Sequence, residues 1–259
     1  MPTQADNPVR AAGSEADAAV ECPACRCNEA LPAFAKNGYA LRRCRACGFL
    51  FVHPYPSDTE LADFYNDPAR APTADFFNKA ASRRRRAWVR SLKFLPYVMG
   101  RSVLDIGCGG GFMAGAFARF GARASGLDIG VGAIAYARKH FPRCTFYCEP
   151  FAAFRRRGLS FDFVFSSELL EHLPGPDGLL ETMAAVTKPG GHVYVSAPDA
   201  GHPAVPADIV RWDDVIPPEH LQFFNRANAE LAFARHGLRL VKVYRKRTPA
   251  LSLIFRRDA

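Results

Sequence analysis

Val103-Leu104-Asp105-Ile106-Gly107-Cys108-Gly109-Gly110-Gly111 is the stretch on which the reading of this chain turns. A short apolar run ends in an acid, and a glycine run then opens an apolar-periodic segment over 112–120. The run is too short for a helix and is bounded by glycine, so it reads as a buried strand. Glycines allow a tight turn and let a ligand approach the backbone with no Cβ in the way. Such turns alone are weak signals, because dinucleotide-binding chains use them as well. Here the run is G-x-G-G-G rather than G-x-G-x-x-G, so a good pyrophosphate fingerprint is missing. Asp105 stands before the glycines, at the strand end, where a carboxylate can hold an amino group.

Outward from this turn, short apolar runs alternate with helical patterns. The sequence predicts strands over Val103–Ile106, Arg123–Leu127, Cys144–Cys148, Phe161–Phe165 and Gly191–Ala197. It predicts helices over Phe112–Phe120, Val131–His140 and Gly178–Thr187. This alternation implies a parallel sheet with helices on both faces. A helix from about Arg226 to His236, closed by Gly237, precedes two further strands, Arg239–Tyr244 and Leu251–Phe255, expected as an antiparallel edge. The polar signals gather at strand ends. Asp128, followed by Ile129, lies about 20 residues after the glycine turn, where an acid can accept ribose hydroxyls. Glu149 can face an adenine amine, and Phe151 can pack on the ring. Ser166 and Ser167 follow the fourth strand, and Lys188-Pro189-Gly190-Gly191 turns into the fifth. Ligands of open α/β sheets bind at these carboxyl ends.

The ordered set Asp105-Ile106-Gly107-Cys108-Gly109-Gly110-Gly111, Asp128, Leu170-Glu171-His172-Leu173 and Lys188-Pro189-Gly190-Gly191 resembles the motifs of class I S-adenosylmethionine-dependent methyltransferases, over about residues 102–197. The resemblance implies a Rossmann-like sheet, mostly parallel with an antiparallel C-terminal edge. It places Gly107 and Gly109, with Gly111 in the same turn, against the methionine part of S-adenosylmethionine. It places Asp128, with Ile129 beside it, on the ribose and Glu149 near the adenine. Ser166 or Ser167 would then contact the methionyl end near the reactive methyl, with Asp105 on the amino group.

Cys22-Pro23-Ala24-Cys25 and Cys44-Arg45-Ala46-Cys47 are two C-x-x-C pairs at a separation within the zinc-ribbon range. Four thiolates close a tetrahedral site around zinc, so the expected metal is structural. Cys27 is a possible competing ligand. Cys108, Cys144 and Cys148 fall in the core pattern and read as buried hydrophobes. The knuckle, the Phe51-Val52-His53-Pro54-Tyr55-Pro56 linker, the Phe64-Tyr65 stretch and the core together resemble bacterial methyltransferases of sugar, polysaccharide and secondary-metabolite pathways. The organisation expected is a disordered tail over 1–20, a zinc-ribbon-like module over 21–56, a helical linker over 57–100 and the methyltransferase domain over 101–259. The linker helices are expected from Ser57 or Asp58 to Tyr65 and from about Thr73 to Leu95.

Methyl transfer to oxygen or carbon often needs a base as well as alignment. The candidates are His172, after the fourth strand, and Glu219 and His220, in the loop Pro217-Pro218-Glu219-His220-Leu221 between the fifth strand and the next helix. A histidine near neutral pKa suits that duty. The alternative for His172 is to cap a turn or bond the loop over 196–202. Glu168 and Glu171 read as loop anchors, and Tyr65 can fold over the site or pack in the core. Arg83 to Arg86 wrap a helical turn rather than forming a stripe, which suits a solvated surface; phosphate recognition is the sharper option.

The chain has 259 residues, 49% of them hydrophobic, with 21 Phe and a net charge of +9. That suffices for one α/β core plus an appendage and argues against wholesale disorder. The positive charge is dispersed and no nucleic-acid recognition motif is present, so a nucleic-acid partner is not favoured. No apolar run reaches a membrane span, and the N-terminus lacks a secretory pattern, so the cytoplasm is expected. The acceptor expected is a small molecule or a glycan or nucleotide-sugar type, and the oligomeric state is left open. Alternatives are an RNA or protein methyltransferase gripping its polymer through the knuckle and basic surface, or a non-catalytic module that binds S-adenosylmethionine. No Asn/Asp-Pro-Pro-Tyr-type motif follows the fourth strand, which counts against methylation of base amino groups.

Overall fold

A computed structural model describes residues 19–66 and 79–258. The expected tail through residue 18 and the first turns of the helix expected from Thr73 lie outside the described residues. The side chain of Tyr65 is also outside them.

Three short strands come first: β1 (Ala30–Lys36), β2 (Tyr39–Cys44) and β3 (Leu50–Val52). Helix α1 (Asp58–Asn66) follows, and Ser57 caps it: its Oγ accepts from the Glu60 backbone N–H at 3.2 Å, while the Glu60 carboxylate accepts from the Ser57 N–H at 2.8 Å. Helix α2 (Ala80–Ser91) continues through a 3-10 turn into α3 (Leu95–Val98).

The Rossmann-like part then runs β4 (Ser102–Ile106), α4 (Phe112–Arg119), β5 (Arg123–Asp128), α5 (Val131–His140), β6 (Thr145–Cys148), α6 (Phe151–Arg155), β7 (Phe161–Ser167), α7 (Asp177–Val186) and β8 (Thr187–Pro198). It closes with β9 (Gln222–Phe223), α8 (Arg226–Ala234), β10 (Leu238–Val243) and β11 (Ala250–Arg257). The predicted Lys188–Gly191 turn falls inside β8 as a bulge: Phe161 pairs with Thr187, but Phe163 pairs with His192. Helix α6 and strand β9 are additions to the sequence reading.

Seven strands form one sheet in the order β10-β11-β8-β7-β4-β5-β6. The pairs from β8 through β6 are parallel, and β11 is antiparallel to both β8 and β10. The chain leaves β4 toward β5 and β6, then crosses back to lay β7 on the other side of β4. Order therefore reverses at β4, and a crevice opens at its carboxyl end.

Side-chain alternation divides the core between the two faces of this sheet. Val103, Phe163, Phe165, Tyr194 and Ile254 face one way, against Phe94 and Phe117. Leu104, Ile106, Val164, Val193, Val195 and Leu253 face the other way, against α7 and α8. Cys22, Ala24, Cys44, Phe49 and Phe51 belong to that second cluster, so the cysteine-bearing segment packs into the main core. A second sheet has the order β1-β2-β3-β9. Its fourth strand, β9, comes from the loop after β8.

Among the described residues, no helix is long and apolar enough to cross a membrane.

Candidate active site

The glycine turn is set by the residues that flank it. β4 is buried from Val103 to Ile106, and the chain must then reverse into α4 with no room for side chains. Gly107, Gly109 and Gly111 all have positive φ, at 74°, 49° and 77°. A Cβ on Gly107 would lie 2.9 Å from Leu169, and one on Gly111 would lie 2.7 Å from Phe146. A Cβ on Gly109, by contrast, would meet nothing within 4 Å. Its outer side is open space over bare backbone, which is the cradle a ligand needs. Asp128, at the end of β5, pins the turn: one carboxylate oxygen accepts from the Gly109 N–H at 2.8 Å and the other from the Gly130 N–H at 2.8 Å.

Asp105 is 4% exposed. Burial pushes its carboxyl up to about 8, against the pull of the Arg90 guanidinium. A buried acid in this state is poised to ionise when a cation arrives. Ser166 is fully buried, and its hydroxyl has no hydrogen-bond partner. Leaving such a group unsatisfied costs about 1–3 kcal/mol, so an incoming polar group would be favoured there. Ile129 is 73% exposed beside Asp128, unusual for an isoleucine and suited to lying against a flat ring. These features fit an amino-acid-bearing adenosyl cofactor.

Two residues expected at the adenine also have protein partners. Glu149 is engaged by Arg157, with Nε at 2.5 Å and Nη2 at 3.1 Å from its oxygens, so its carboxylate faces that guanidinium. Phe151 opens α6 and packs against the main core.

Sequence reasoning missed Arg90. From α2 it donates to Ser167 Oγ at 2.7 Å and to Ser196 Oγ at 3.0 Å, with its guanidinium 5.4 Å from the Phe165 ring centroid. Ser196 Oγ in turn donates to Glu168 at 2.9 Å. Ser167 Oγ also lies 2.8 Å from Ser196 Oγ, so it is held from two sides at the end of β7. The signal lay in the small buried neighbours Ala87 and Ser91, which mark the packed face of α2; the conspicuous run at 83–86 drew attention to its exposed face. There Arg84, Arg85 and Arg86 are exposed, and Arg84 lies over the Phe141 ring. A cavity of about 270 Å³ opens beside Arg84, Trp88 and Phe141, and none of the residues expected at the active site lines it.

The base candidates are brought together. His172 ends a 3-10 turn after β7, and His220 reaches it from the Pro217–Leu221 segment, with ring centroids 4.8 Å apart. His172 Nδ1 lies 2.8 Å from the Glu219 carbonyl, and His220 Nδ1 lies 2.7 Å from the Asp214 carbonyl. A carbonyl only accepts, so each Nδ1 carries the hydrogen and each Nε2 the lone pair. Burial, then the neighbouring His220, holds His172 below its ordinary pKa. His172 therefore bonds the Glu219 segment. Glu168 accepts from Ser196 Oγ, while Glu171 ties the Leu221 segment through its backbone carbonyl, which accepts from the Leu221 N–H at 2.7 Å, rather than through its carboxyl group.

The segment carrying His220 hangs on the second sheet. Val52 N–H donates to the Leu221 carbonyl at 2.8 Å, Asn37 Nδ2 to the Pro217 carbonyl at 3.0 Å, and β9 pairs with β3. That sheet is in turn fastened to the cysteine knuckle. Ligand atoms of Cys22, Cys25, Cys44 and Cys47 lie within 4.8 Å of one another, with Cys22–Cys47 at 3.6 Å and Cys25–Cys44 at 3.7 Å. Tetrahedral zinc with Zn–S bonds of ~2.3 Å has sulfur–sulfur edges of about 3.8 Å, so the spacing fits. Cys27 sits 3.2 Å from Cys25 and 3.3 Å from Cys44, crowded against the outside of that set. Of the three core cysteines, Cys108 is buried while Cys144 and Cys148 are half-buried.

Residues 80–243 match the model of a family described as a methyltransferase domain. A ubiquinone biosynthesis O-methyltransferase from Coxiella burnetii is 35% identical over 101 residues, covering 38% of this chain and 43% of the relative. One of the same name from Cronobacter sakazakii is 38% identical over 108 residues, again covering 38% of this chain and 43% of the relative. The chain thus spans less than half the length of these curated relatives. Among solved structures, magnesium protoporphyrin IX methyltransferase from Synechocystis PCC 6803 with bound SAH superposes with a TM-score of 0.59 at 15% identity, over 78% of this chain and 100% of that one. A 1,6-didemethyltoxoflavin-N1-methyltransferase from Burkholderia thailandensis gives 0.57 at 16% identity, over 88% of this chain and 99% of that one.

Proposed function

The chain belongs to the class I S-adenosylmethionine-dependent methyltransferases, and we propose that it methylates an oxygen of a small hydroxylated acceptor. One observation carries this reading: two imidazoles with Nε2 lone pairs stand at the end of β7, the strand beside the one that opens the glycine turn. The two regions touch, since Leu169 lies over Gly107. The names of the curated relatives point the same way, toward oxygen on a small molecule.

S-adenosylmethionine, when bound, supplies an electrophilic methyl on a sulfonium. Asp105 receives its amino group, and Gly107, Gly109 and Gly111 give it bare backbone. Asp128 and Ile129 serve the ribose and base, with Glu149 at the adenine end. Ser166 and Ser167 line the methionyl side, Ser167 being fixed there by Arg90. On the acceptor side, His220 takes the hydroxyl proton at Nε2. His172 packs against it, and Glu219 contributes its backbone carbonyl to the His172 ring rather than its carboxylate to the proton. Cys22, Cys25, Cys44 and Cys47 hold a structural zinc, which keeps the His220 segment in place through the second sheet. Reduced thiols of this kind suit the cytoplasm.

The test is incubation with labelled S-adenosylmethionine and fractionated extract, followed by His220→Ala. Turnover should fall by about a hundredfold or more while cofactor affinity holds, because base catalysis is commonly worth that much. Unchanged turnover would remove His220 from the role.

A further inference from the structure

Glu171 is 1% exposed, and its Oε2 has no hydrogen-bond partner. A bare carboxylate oxygen in the interior of a folded chain calls for an explanation. Two imidazoles stand around it. Ligand-type atoms of Glu171, His172 and His220 lie within 4.8 Å of one another. Both rings present Nδ1 to a backbone carbonyl, His172 to Glu219 and His220 to Asp214, which fixes the lone pair on Nε2 in each. Histidines that ligate metals are held in this way, with the far ring nitrogen donating to a carbonyl or carboxylate that sets tautomer and orientation. An ionised Glu171 this close to two imidazole nitrogens is unfavourable unless a proton or a metal cation lies among them.

We propose that Glu171, His172 and His220 bind a divalent transition-metal ion. Two imidazole nitrogens and one carboxylate suit manganese, iron(II) or zinc better than calcium or magnesium, which take oxygen ligands throughout. Three protein ligands leave the coordination sphere open, unlike the four thiolates of the knuckle. The site's purpose rests on the methyl-transfer reading above and deepens it. A Lewis acid beside the acceptor lets a hydroxyl lose its proton to solvent without an imidazole lone pair, so His172 and His220 would act as ligands in place of a base.

The experiment uses the full chain loaded first with about one equivalent of zinc, which the thiolates take. Manganese(II) is then titrated in, and uptake is read from loss of the free-ion electron paramagnetic resonance signal. Wild-type protein should take up about one manganese per chain. Glu171→Gln, which keeps the side-chain shape, and His220→Gln should each weaken uptake by at least about tenfold, since even outer-shell changes cost that much. No uptake by the wild type, or undiminished uptake by both variants, overturns the site. S-adenosylhomocysteine affinity measured on the same samples reports on the earlier reading separately. Manganese bound without that ligand would uphold the metal site and sink the methyl-transfer reading; the reverse result would do the opposite.

Discussion

The glycine turn and the histidine pair lie at the ends of adjacent strands but are assembled in different ways. The turn is local: Asp105 through Gly111 supply the acid, the bare backbone and the entry to α4, and Asp128 pins them from the next strand. The pair is remote in sequence. His172 comes from the end of β7, His220 from a loop some fifty residues later, and the backbone under His220 is paired to β3 of the N-terminal sheet. The proposed cofactor site is thus written into one contiguous stretch, whereas the proposed acceptor site rests on a sheet fastened to cysteines more than a hundred residues upstream. The two halves should therefore fail independently.

The largest effect should come from the knuckle. Cys25→Ser removes one thiolate from the proposed zinc site and should loosen the sheet that carries the His220 segment. Turnover should drop by about a hundredfold, since a displacement of an ångström at a reacting group can cost that much. Affinity for S-adenosylhomocysteine, measured by calorimetry, should stay near that of the unaltered chain. Parallel collapse of both would show that the halves are one unit. A smaller effect, confined to the other half, is expected from Gly109→Ala. Its Cβ meets no protein atom, so the main cost to the free chain is about 1 kcal/mol for the left-handed backbone. The methyl projects into the ligand's space, and affinity should fall by about tenfold, equivalent to ~1.4 kcal/mol. Unaltered affinity would mean that the cofactor does not back onto this turn.

This asymmetry also explains what could be read from the sequence. The strand and helix alternation and the antiparallel edge were legible because each depends on local periodicity, and Asp105, Gly107, Gly109 and Asp128 were legible because their spacing along the chain sets their spacing in the crevice. His172 and His220 could be named singly, but nothing in their separation says that their rings would stand 4.8 Å apart. β9 is two residues long and exists because β3 is there to pair with it, so no window of sequence could reveal it. Arg90 was hidden for a related reason: its function lies in reaching Ser167 and Ser196, on strands 77 and 106 residues away. Glu149 shows the converse, a strand-end acid whose ion pair with a nearby cation, Arg157, no spacing along the chain announces.

The smallest expected effect separates the two halves by pH. Asp105 is held up to about 8, mainly by burial, from an ordinary carboxyl value near 4. Between those two values the folded free protein keeps a proton at this site that the unfolded chain has released. Raising pH across that window therefore favours unfolding, and the stability contributed by the protonated form is full below about 4 and lost as pH passes through about 8. The slope from one such group is on the order of 1 kcal/mol per pH unit. Glu171, the buried acid of the acceptor half, is likewise pushed up to about 8 by burial and retains its own share in metal-free protein. Asp105→Asn should accordingly lessen the fall in melting temperature between pH 5 and 8, one of the raised acids having been removed. Saturating S-adenosylhomocysteine should do the same to the unaltered chain, because an ammonium at Asp105 stabilises the ionised carboxylate, and should add nothing to the variant's pH profile. If the ligand flattens both profiles equally, its amino group meets some other acid, and the cofactor half of the comparison has to be rebuilt around that residue.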